Sequence, residues 1–484
     1  MADYQEFGVD RQGSFMHGTA EEQRIHNYKH ICPPTNGDPN GDGIGSEPGT
    51  PNPDPEAFTI IDDMQVRFPG SPLVSPGNTV TFIRDVYREI QVPIPANVAA
   101  RVNVRLQAEV GDNPGQQLEM WIIGAKVGGA DIYTYPSQAI RVRQGQYVRV
   151  TVNNHHGSHT IHWHGIEPTA MNDGVGKHSF EIADGDDFIY QWVPHQAGTF
   201  FFHCHKNTVL HFEMGMFALL IVDPDVQGAP FTTGGQGVVA GRLDVDNGYD
   251  PNGVNFINYH QEKIWVADDM DSRWHFNHDG ANEGHDHNMQ DCVPANPMAA
   301  GTFYQFKPNR MNLNLFKPDI FAVTGVFLDY GDTGPEGGEV EFGNPFRGNL
   351  ATGNAGNPNL GLVQVNALAG QKILIRFLNA SYSIVDLRLP VDCFVIAMGG
   401  IPLGVTDKTK YSRPYRLPKG SALSSISARR FEIIIDTNDL GTGSPLFFDP
   451  SNPTFLHATL TYYDWIKGRP GGKRAIVRIP INLP

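Results

Sequence analysis

The segments HTIHWHG at residues 159–165 and GTFFFHCH at 198–205 decide how this sequence folds and what it can bind. Both are short and rich in β-branched or aromatic residues, which is typical of β-strands. Side chains alternate between the two faces of a strand. His162 and His164 are therefore predicted to share one face. His203 and His205 are likewise predicted to share a face, with Cys204 pointing to the opposite side.

The face that carries Cys204 has the donor set of an electron-transfer copper site. The candidates His159, Cys204, His211 and Met216 supply two imidazoles, one thiolate and one weak thioether. A soft thiolate suits Cu(I) and imidazoles suit Cu(II), so one set of ligands serves both oxidation states. A lone buried cysteine is usually inert packing, but these four residues together predict a blue-copper site.

The opposite face gathers four imidazoles, from His162, His164, His203 and His205. Burying histidines without partners is unfavourable, and protonated histidines repel one another. A bound metal ion removes both problems. The four side chains are therefore predicted to bind metal together.

Composition limits the remaining possibilities. The 484 residues include 53 glycines and 36 prolines, and strand-like segments alternate with turns, which predicts an all-β sandwich or barrel fold. We expect no amphipathic helix longer than about three turns. The net charge of −16 repels nucleic acid and anionic lipid and favours cationic partners. No apolar run reaches the roughly 18 residues of a membrane span, and the first residues do not resemble a signal peptide.

Three regions are predicted along the chain. Residues 1–55 are polar and turn-rich, and are expected to form a flexible N-terminal arm. Residues 56–225 form a first domain with the metal-ligand motifs, and residues 226–484 form a second domain with a loop-rich insertion at about 276–360. The His/Asp-rich segment 268–291 is predicted to be a solvated loop; the alternative is a site for a metal substrate or a labile copper ion.

With HWHG and GTFFFHCH on one chain, the sequence resembles the multicopper oxidases, which include laccases, ferroxidases and copper nitrite reductases. The resemblance implies cupredoxin folds, which are Greek-key β-sandwiches. It implies one copper-bearing domain followed by one copper-free domain. The second domain is similar to the family through two weaker stretches, RFLNAS at 376–381 and RFEI at 430–433.

The resemblance also implies the roles of the candidate ligands. Type 1 copper would be bound by His159, Cys204, His211 and Met216; type 2 copper by His162; and the type 3 pair by His164, His203 and His205. Electrons from a reductant would pass one at a time through Cys204 to the flanking histidines, where O2 is reduced to water. Copper enzymes of this kind usually work outside the cytoplasm, so the resemblance implies an extracytoplasmic location.

The chain departs from the family because it carries only half of the trinuclear cluster. The resemblance implies eight histidines from four His-X-His pairs on two domains, but this chain has two such pairs in the right context. In the second domain His457 has no paired histidine, and His285-Asp286-His287 lies in a polar stretch that is not predicted to form a strand. We hypothesise that a two-fold homodimer supplies both halves, since an isologous interface pairs identical patches. The alternatives are a head-to-tail ring, a separate partner chain, or a mononuclear type 2 site as in a nitrite reductase. A blue-copper electron carrier or copper-binding protein is a further alternative.

Two carboxylates are candidates for catalytic roles beside Cys204. Glu213 follows His211 in the loop expected to cover type 1 copper, where it could accept a proton from a phenol or bind a cationic reductant; an exposed rim charge is the alternative. Asp173 resembles the acidic residue that delivers protons during O2 reduction. The reductant is predicted to be a phenol-type or other small organic molecule, or a low-valent metal ion. Of the four cysteines, Cys32, Cys292 and Cys393 allow at most one internal disulfide.

Overall fold

The computed structural model describes residues 79–109, 115–166, 168, 170–175, 179, 181–206, 208–226, 229–230, 232–243, 255–276, 316–332, 346–350, 356–405, 412–441, 456–464 and 472–484. Strands dominate these residues, which confirms the predicted all-β class. The predicted arm at 1–55 lies outside the described residues, and the proposed domain boundaries remain predictions. No described helix is both long and apolar enough to cross a membrane.

The first half of the described chain forms a two-sheet unit, here called the N-terminal sandwich. One sheet has the order β3-β2-β1-β5-β7, and the other has the order β4-β9-β8-β6. Its strands are β1 Thr79–Pro93, β2 Gln117–Val127, β3 Ala130–Ile132, β4 Ile140–Arg143, β5 Tyr147–Asn154, β6 Ile161–His164, β7 Asp187–Trp192, β8 Gly198–Cys204 and β9 Phe217–Asp223.

The second half forms another two-sheet unit, the C-terminal sandwich, with β10 and β11 as a separate hairpin-like pair. One sheet follows the order β14-β13-β12-β18-β24-β20-β21, and the other follows β15-β16-β26-β25-β19-β23. The strands are β10 Gly237–Ala240, β11 Phe256–Tyr259, β12 Gln261–Met270, β13 Ile320–Val323, β14 Val326–Phe327, β15 Asp329–Asp332, β16 Phe346–Asn349, β17 Val365–Asn366, β18 Lys372–Asn379, β19 Ile384–Arg388, β20 Cys393–Met398, β21 Ile401–Pro402, β22 Tyr415–Leu417, β23 Leu423–Ser425, β24 Arg430–Asp436, β25 Leu456–Tyr463 and β26 Lys473–Asn482.

The alternation of side chains explains how these strands build a core. In β5, Val148, Val150 and Val152 are fully buried while the residues between them are only half-buried, as expected for a strand with one face on a core. Strands β8 and β9 are buried along their whole length. They lie where the N-terminal sandwich packs on its neighbour, so both of their faces are covered.

The expectation of no long amphipathic helix is wrong. Helix α1 runs from Ala96 to Glu109, nearly four turns. Val102, Val104 and Leu106 are two residues apart, so in a strand all three would lie on one face. In the helix Val104 is 59% exposed, whereas Val102 and Leu106 are buried. The period of the helix therefore decides which side chains enter the core. The other helices are short: α2 Thr208–Glu213, α3 Ser272–Phe276, α4 Leu360–Val363 and a 3-10 turn at Ala170–Asn172.

Strands β13 to β16 lie within the loop-rich stretch predicted at about 276–360, of which residues 277–315, 333–345 and 351–355 lie outside the described residues. The expected solvated loop at 268–291 is wrong in its first part. Asp268 and Asp269 belong to β12, and Asp271 and His275 are buried beside the N-terminal sandwich. The later members of that segment, from residue 277 onward, lie outside the described residues.

A buried ion-pair network joins the two sandwiches. Arg376 of β18 pairs with Glu262 at 2.6 Å, with Glu432 at 2.5 Å and with Asp223 of the N-terminal sandwich at 3.4 Å. Arg141 of β4 adds a second cation, bound to Asp223 and Glu262. Because these charges are desolvated, each one depends on its partners across the junction.

Candidate metal centre

Strands β6 and β8 build the candidate site. They pair antiparallel, so that Ile161 lies opposite Cys204, and His162 lies opposite His203. Residues directly opposite on an antiparallel pair point to the same face. The pairing therefore separates the Cys204 side from the His203 side, as the alternation predicts, and the two sides are only one residue apart along β8.

On the Cys204 side, three donor atoms converge. The Cys204 Sγ lies 3.4 Å from His159 Nδ1 and 3.1 Å from His211 Nδ1. All three side chains are fully buried, and their donor atoms lie close enough together to hold one metal ion. Two imidazole nitrogens and one sulfur facing a common point are the donor set of a blue-copper site, so these residues fit the metal that their sequence pattern predicts.

Backbone hydrogen bonds hold Met216 beside Cys204 and His211. Its N–H donates to the His211 carbonyl at 2.9 Å, and its own carbonyl accepts from the Cys204 N–H at 3.1 Å. The residue is fully buried. These two bonds tie the loop of His211 to the end of β8 and hold Met216 against both ligands. A role as the weak axial donor remains a prediction.

Burial sets the protonation state of the thiol. Desolvation raises the pKa of Cys204 to about 12. Without a cation the sulfur therefore keeps its proton, and the thiolate that a metal ion requires forms together with metal binding.

On the opposite face, four imidazoles cluster around His162. The centroid of its ring lies 5.4 Å from those of His164 and His203 and 5.3 Å from that of His205. His162, His164 and His203 form a second group of donors able to hold a metal ion. The side chain of His162 is 17% exposed, so this face of the N-terminal sandwich is partly open to solvent.

Burial and mutual repulsion keep His164, His203 and His205 in the neutral form, which is the form that binds metal. Desolvation lowers the pKa of His164 to about 3, helped by the charges of Arg430 and the neighbouring histidines. Desolvation also lowers the pKa of His203 well below its usual value, and that of His205 in the same direction. His164 Nδ1 is buried without a hydrogen-bond partner among the described residues, a state that a nearby cation would relieve.

Backbone acceptors orient two of the rings. His203 Nδ1 lies 2.9 Å from the Cys204 carbonyl, and His162 Nδ1 lies 2.8 Å from the Asp173 carbonyl. Because a carbonyl oxygen only accepts, each of these rings carries its proton on Nδ1, which leaves Nε2 as the nitrogen that can bind metal. The Asp173 carboxylate is also 3.4 Å from His162 Nδ1. Asp173 therefore contacts the histidine cluster, although its role in proton delivery remains a prediction.

Glu213 does not lie where the sequence suggested. Its side chain is 2% exposed, so an exposed rim position is wrong, and no reductant can reach it from solvent. The carboxylate faces the C-terminal sandwich, where it accepts a hydrogen bond from the Asp271 N–H at 2.8 Å and lies 3.6 Å from His275 Nε2. Desolvation and the nearby carboxylates raise the pKa of Glu213 well above its usual value.

The family model described as "Multicopper oxidase" matches residues 133–227, which contain both ligand groups. This segment belongs to the multicopper oxidase family. The family uses copper of types 1, 2 and 3, which agrees with the two donor groups of this multicopper oxidase segment.

Individual relatives match a part of the chain. Over 142 residues the chain is 28% identical to multicopper oxidase CTB12 of Cercospora beticola, covering 28% of this chain and 20% of that protein. Over 95 residues it is 37% identical to an L-ascorbate oxidase of Cucumis sativus, covering 19% of this chain and 16% of that protein. The matches thus span about a fifth or less of these relatives. A blue copper oxidase from Nitrosomonas europaea has a similar structure, with 17% identity, a TM-score of 0.44 and coverage of 83% and 85% of the two chains.

Two aromatic residues of the multicopper oxidase segment's sandwich were not predicted as part of the site. Tyr87 packs its ring 5.6 Å from that of His159, and Trp121 lies 6.0 Å from His211. Tyr87 has a positive φ of 59° at a bulge in β1, a conformation that bulky residues rarely adopt. The sequence gives no signal for it, because Tyr87 lies in an ordinary strand pattern.

Arg430 is a third unpredicted neighbour, contributed by the C-terminal sandwich. Its guanidinium lies 5.5 Å from the centroid of Phe201, whose ring stacks on His164 at 4.3 Å. Its N–H groups donate to the Gly399 and Ala428 carbonyls at 2.7 Å. The sequence presents this arginine only as part of a strand, so its position under the histidine face became evident in the structure.

Proposed function

We propose that this chain is a copper-dependent oxidase that couples one-electron oxidations of a small reductant to the reduction of O2 to water. The observation that carries the proposal is the position of His203 and Cys204. They are consecutive residues of β8, yet they belong to two different groups of metal donors on opposite faces. A single peptide link thus joins a site suited to one-electron transfer to a site suited to several metal ions.

In this proposal His159, Cys204 and His211 bind type 1 copper, with Met216 as the axial residue. The bound copper ion supplies one-electron redox chemistry. The protein keeps the three ligands fully buried, which excludes water and holds their geometry fixed between oxidation states. The covalent path from the Cys204 sulfur through the backbone to His203 is the route for each electron.

His162 is proposed as a ligand of type 2 copper, and His164, His203 and His205 as ligands of the type 3 pair. These four provide half of the required histidines. In the part of the chain that the structure describes, the C-terminal sandwich adds no further group of metal donors. The partly open histidine face supports completion by a second copy, because a two-fold axis through it would double every ligand. We therefore propose a homodimer with the cluster at its interface.

Copper stoichiometry measured together with solution mass tests this arrangement. The symmetric dimer predicts about five copper ions per two chains, two of them in blue sites and three in the shared cluster. A matched variant, His162→Ala, removes a ligand from each half of the cluster and should lower the copper content while the blue absorption remains. A monomer that consumes O2 at the full rate would contradict the dimer.

The reductant is proposed to be a phenol-type or other small organic molecule, or a low-valent metal ion. Asp173 is proposed to carry protons to the histidine face, since its carboxylate lies 3.4 Å from His162 and is partly exposed. Asp173→Asn should then slow O2 consumption without changing the blue absorption. An extracytoplasmic location belongs to the same proposal.

A mononuclear site is the second candidate. His162, His164 and His203 alone form a group of three donors within one chain, which is enough for one type 2 copper and would make the protein similar to a nitrite reductase. Measuring O2 and nitrite consumption on the same copper-loaded sample separates the two. A sample that is blue but consumes neither would indicate an electron carrier.

A further inference from the structure

Helix α2 carries one of the proposed type 1 ligands and is too short to fix its own position. It runs from Thr208 to Glu213, six residues, and His211 lies in its last turn. Isolated helices of this length are unstable, because forming the first turn orders several residues for one hydrogen bond. The position of the His211 ring therefore depends on what holds α2 from outside.

The C-terminal sandwich holds α2 at both ends. Near the start, the Tyr382 hydroxyl donates to the Val209 carbonyl at 2.8 Å. At the end, the Asp271 N–H donates to Glu213 Oε1 at 2.8 Å. Both bonds cross from one sandwich to the other, and they lie on either side of His211.

The groups that hold α2 are themselves fixed. The Tyr382 N–H donates to Asp269 Oδ1 at 2.8 Å. The buried carboxylate of Asp271 lies 3.4 Å from Arg105 of α1 and accepts from the Lys317 N–H at 2.9 Å. His275 approaches Glu213 at 3.6 Å while its other nitrogen lies 2.7 Å from the Glu119 carbonyl. Movement of α2 would therefore disturb a network spread over both sandwiches.

We infer that the C-terminal sandwich acts as a clamp that positions His211, with Tyr382 and Glu213 as positioning residues. Holding α2 fixes the distance from the His211 Nδ1 to the Cys204 Sγ, now 3.1 Å. A function for this distance in copper binding rests on the proposed function. The restraint on α2 does not, since the contacts exist between protein groups alone.

Hydrogen exchange in the full chain without added copper tests the restraint directly. The Met214 and Met216 amides donate to the Leu210 and His211 carbonyls, so their exchange reports opening of α2. Tyr382→Phe removes one clamp bond and keeps the ring, and should speed exchange of both amides about five- to tenfold. Glu213→Leu should do the same, whereas Glu213→Gln keeps an acceptor oxygen and should restore slow exchange.

Tyr462→Phe is the matched control. The Tyr462 hydroxyl is also buried and donates to a backbone carbonyl, that of Ala322 at 3.2 Å, but the bond stays within the C-terminal sandwich. It should leave exchange at Met214 and Met216 unchanged. If Tyr382→Phe exchanges no faster than Tyr462→Phe, the clamp is refuted. Tyr382→Phe decides the question even if Glu213→Leu fails to fold.

The copper-loaded variants then test the consequence for the site. Tyr382→Phe should shift or broaden the blue absorption band and weaken copper binding several-fold, because His211 samples more positions, and Tyr462→Phe should not. If the blue band of Tyr382→Phe is unchanged although its amides exchange faster, the proposed effect of the clamp on the His211 ligand is refuted. A wild-type protein without any blue band would instead refute the proposed function, and the exchange result would still stand.

Discussion

The two sandwiches share one topology but differ in what their equivalent strands carry. In each, two parallel strands lie side by side, β1 with β5 and β12 with β18, and the second of each pair is flanked by an antiparallel strand. In the other sheet, β6-β8-β9 corresponds to β19-β25-β26, with the same antiparallel pairings. The same scaffold therefore occurs twice along the chain.

The difference lies in a few side chains on one strand pair. Where the first sandwich sets Ile161 opposite Cys204 on the side that faces its core, the second sets Val385 opposite Tyr462, which reaches Ala322 of its facing sheet. Val385 and Tyr462 are fully buried in a hydrophobic core. On the other side of the strand pair, β19 and β25 carry no counterpart to the facing His162 and His203. The same strand arrangement therefore carries groups of metal donors in one sandwich and none among the described residues of the other, so a few side chains, and not the fold, decide where metal can bind. The second sandwich supports the first through the ion pairs of Arg376 and through its contacts to α2.

The largest expected effect comes from removing the one sulfur that distinguishes β8 from β25. Cys204→Ser should abolish the blue absorption and O2 consumption, because a hydroxyl cannot replace the thiolate as a soft donor. Cys393→Ser is the matched control, since Cys393 is also a free, buried cysteine but lies in the second sandwich. Visible absorption and O2 uptake measure both variants. A blue Cys204→Ser protein would contradict the assignment of the site.

The next effect separates the two faces of β8. His203→Val removes one imidazole from the histidine face and leaves Cys204 in place, so it should stop O2 consumption while the blue absorption remains. His457→Val is the control, because His457 lies on β25, the strand equivalent to β8. It should leave both properties unchanged. Loss of colour in His203→Val would mean that the two faces are not independent.

The strand pattern allowed much of the site to be predicted from sequence. Residues at a period of two must alternate between faces, so spacing predicted that Cys204 points away from His203 and His205, and that His162 and His164 share a face. The grouping of Cys204 with His159 and His211 was predicted from the donor set of a copper site. Glu213 could not be placed in this way. It follows His211 in the chain, but the packing of the second sandwich buries it, and that contact joins residues 58 positions apart.

The same distinction applies to the fold. The all-β class followed from short strands and turns, whereas helix α1 was missed because its valines also fit a strand. What fixed it as a helix is the burial of Val98, Val102 and Leu106 against the second half of the chain. Local preference for β-branched residues in strands is weak and is readily overridden by such tertiary contacts.

The junction between the sandwiches should show a smaller but still large effect. Arg376→Met leaves Glu262 and Glu432 buried without their main cation, and should lower the free energy of unfolding by about 3–5 kcal/mol. Lys126→Met is the control, because Lys126 and its partner Asp131 are 39% and 49% exposed, and should cost less than about 1 kcal/mol. Chemical denaturation measures both. Equal losses would show that the junction does not depend on its buried charges.

The smallest effect tests a feature that both sandwiches retain, an asparagine at the end of equivalent strands. Asn154 ends β5, and its side-chain amide donates to the Gly157, Ile182 and Ala183 carbonyls at 2.7 to 2.9 Å. Asn379 ends β18 and donates to the Ser383 and Ser425 carbonyls at 3.0 and 3.1 Å. Replacing either with alanine leaves buried carbonyls unpaired, and should lower the free energy of unfolding by about 1–3 kcal/mol.

The two variants should affect the metal to different degrees. The Ile182 backbone, which Asn154 holds, exchanges hydrogen bonds with the backbone of His159 at 3.0 and 2.8 Å. Asn154→Ala should therefore loosen a proposed type 1 ligand directly and shift the blue absorption. Asn379 instead holds the loop that carries Tyr382, by accepting from the Ser381 N–H at 3.0 Å, so Asn379→Ala should shift the band less. Denaturation and absorption are measured on the same two proteins. If Asn379→Ala shifts the band as far as Asn154→Ala does, the second sandwich restrains the site as strongly as the site's own sandwich.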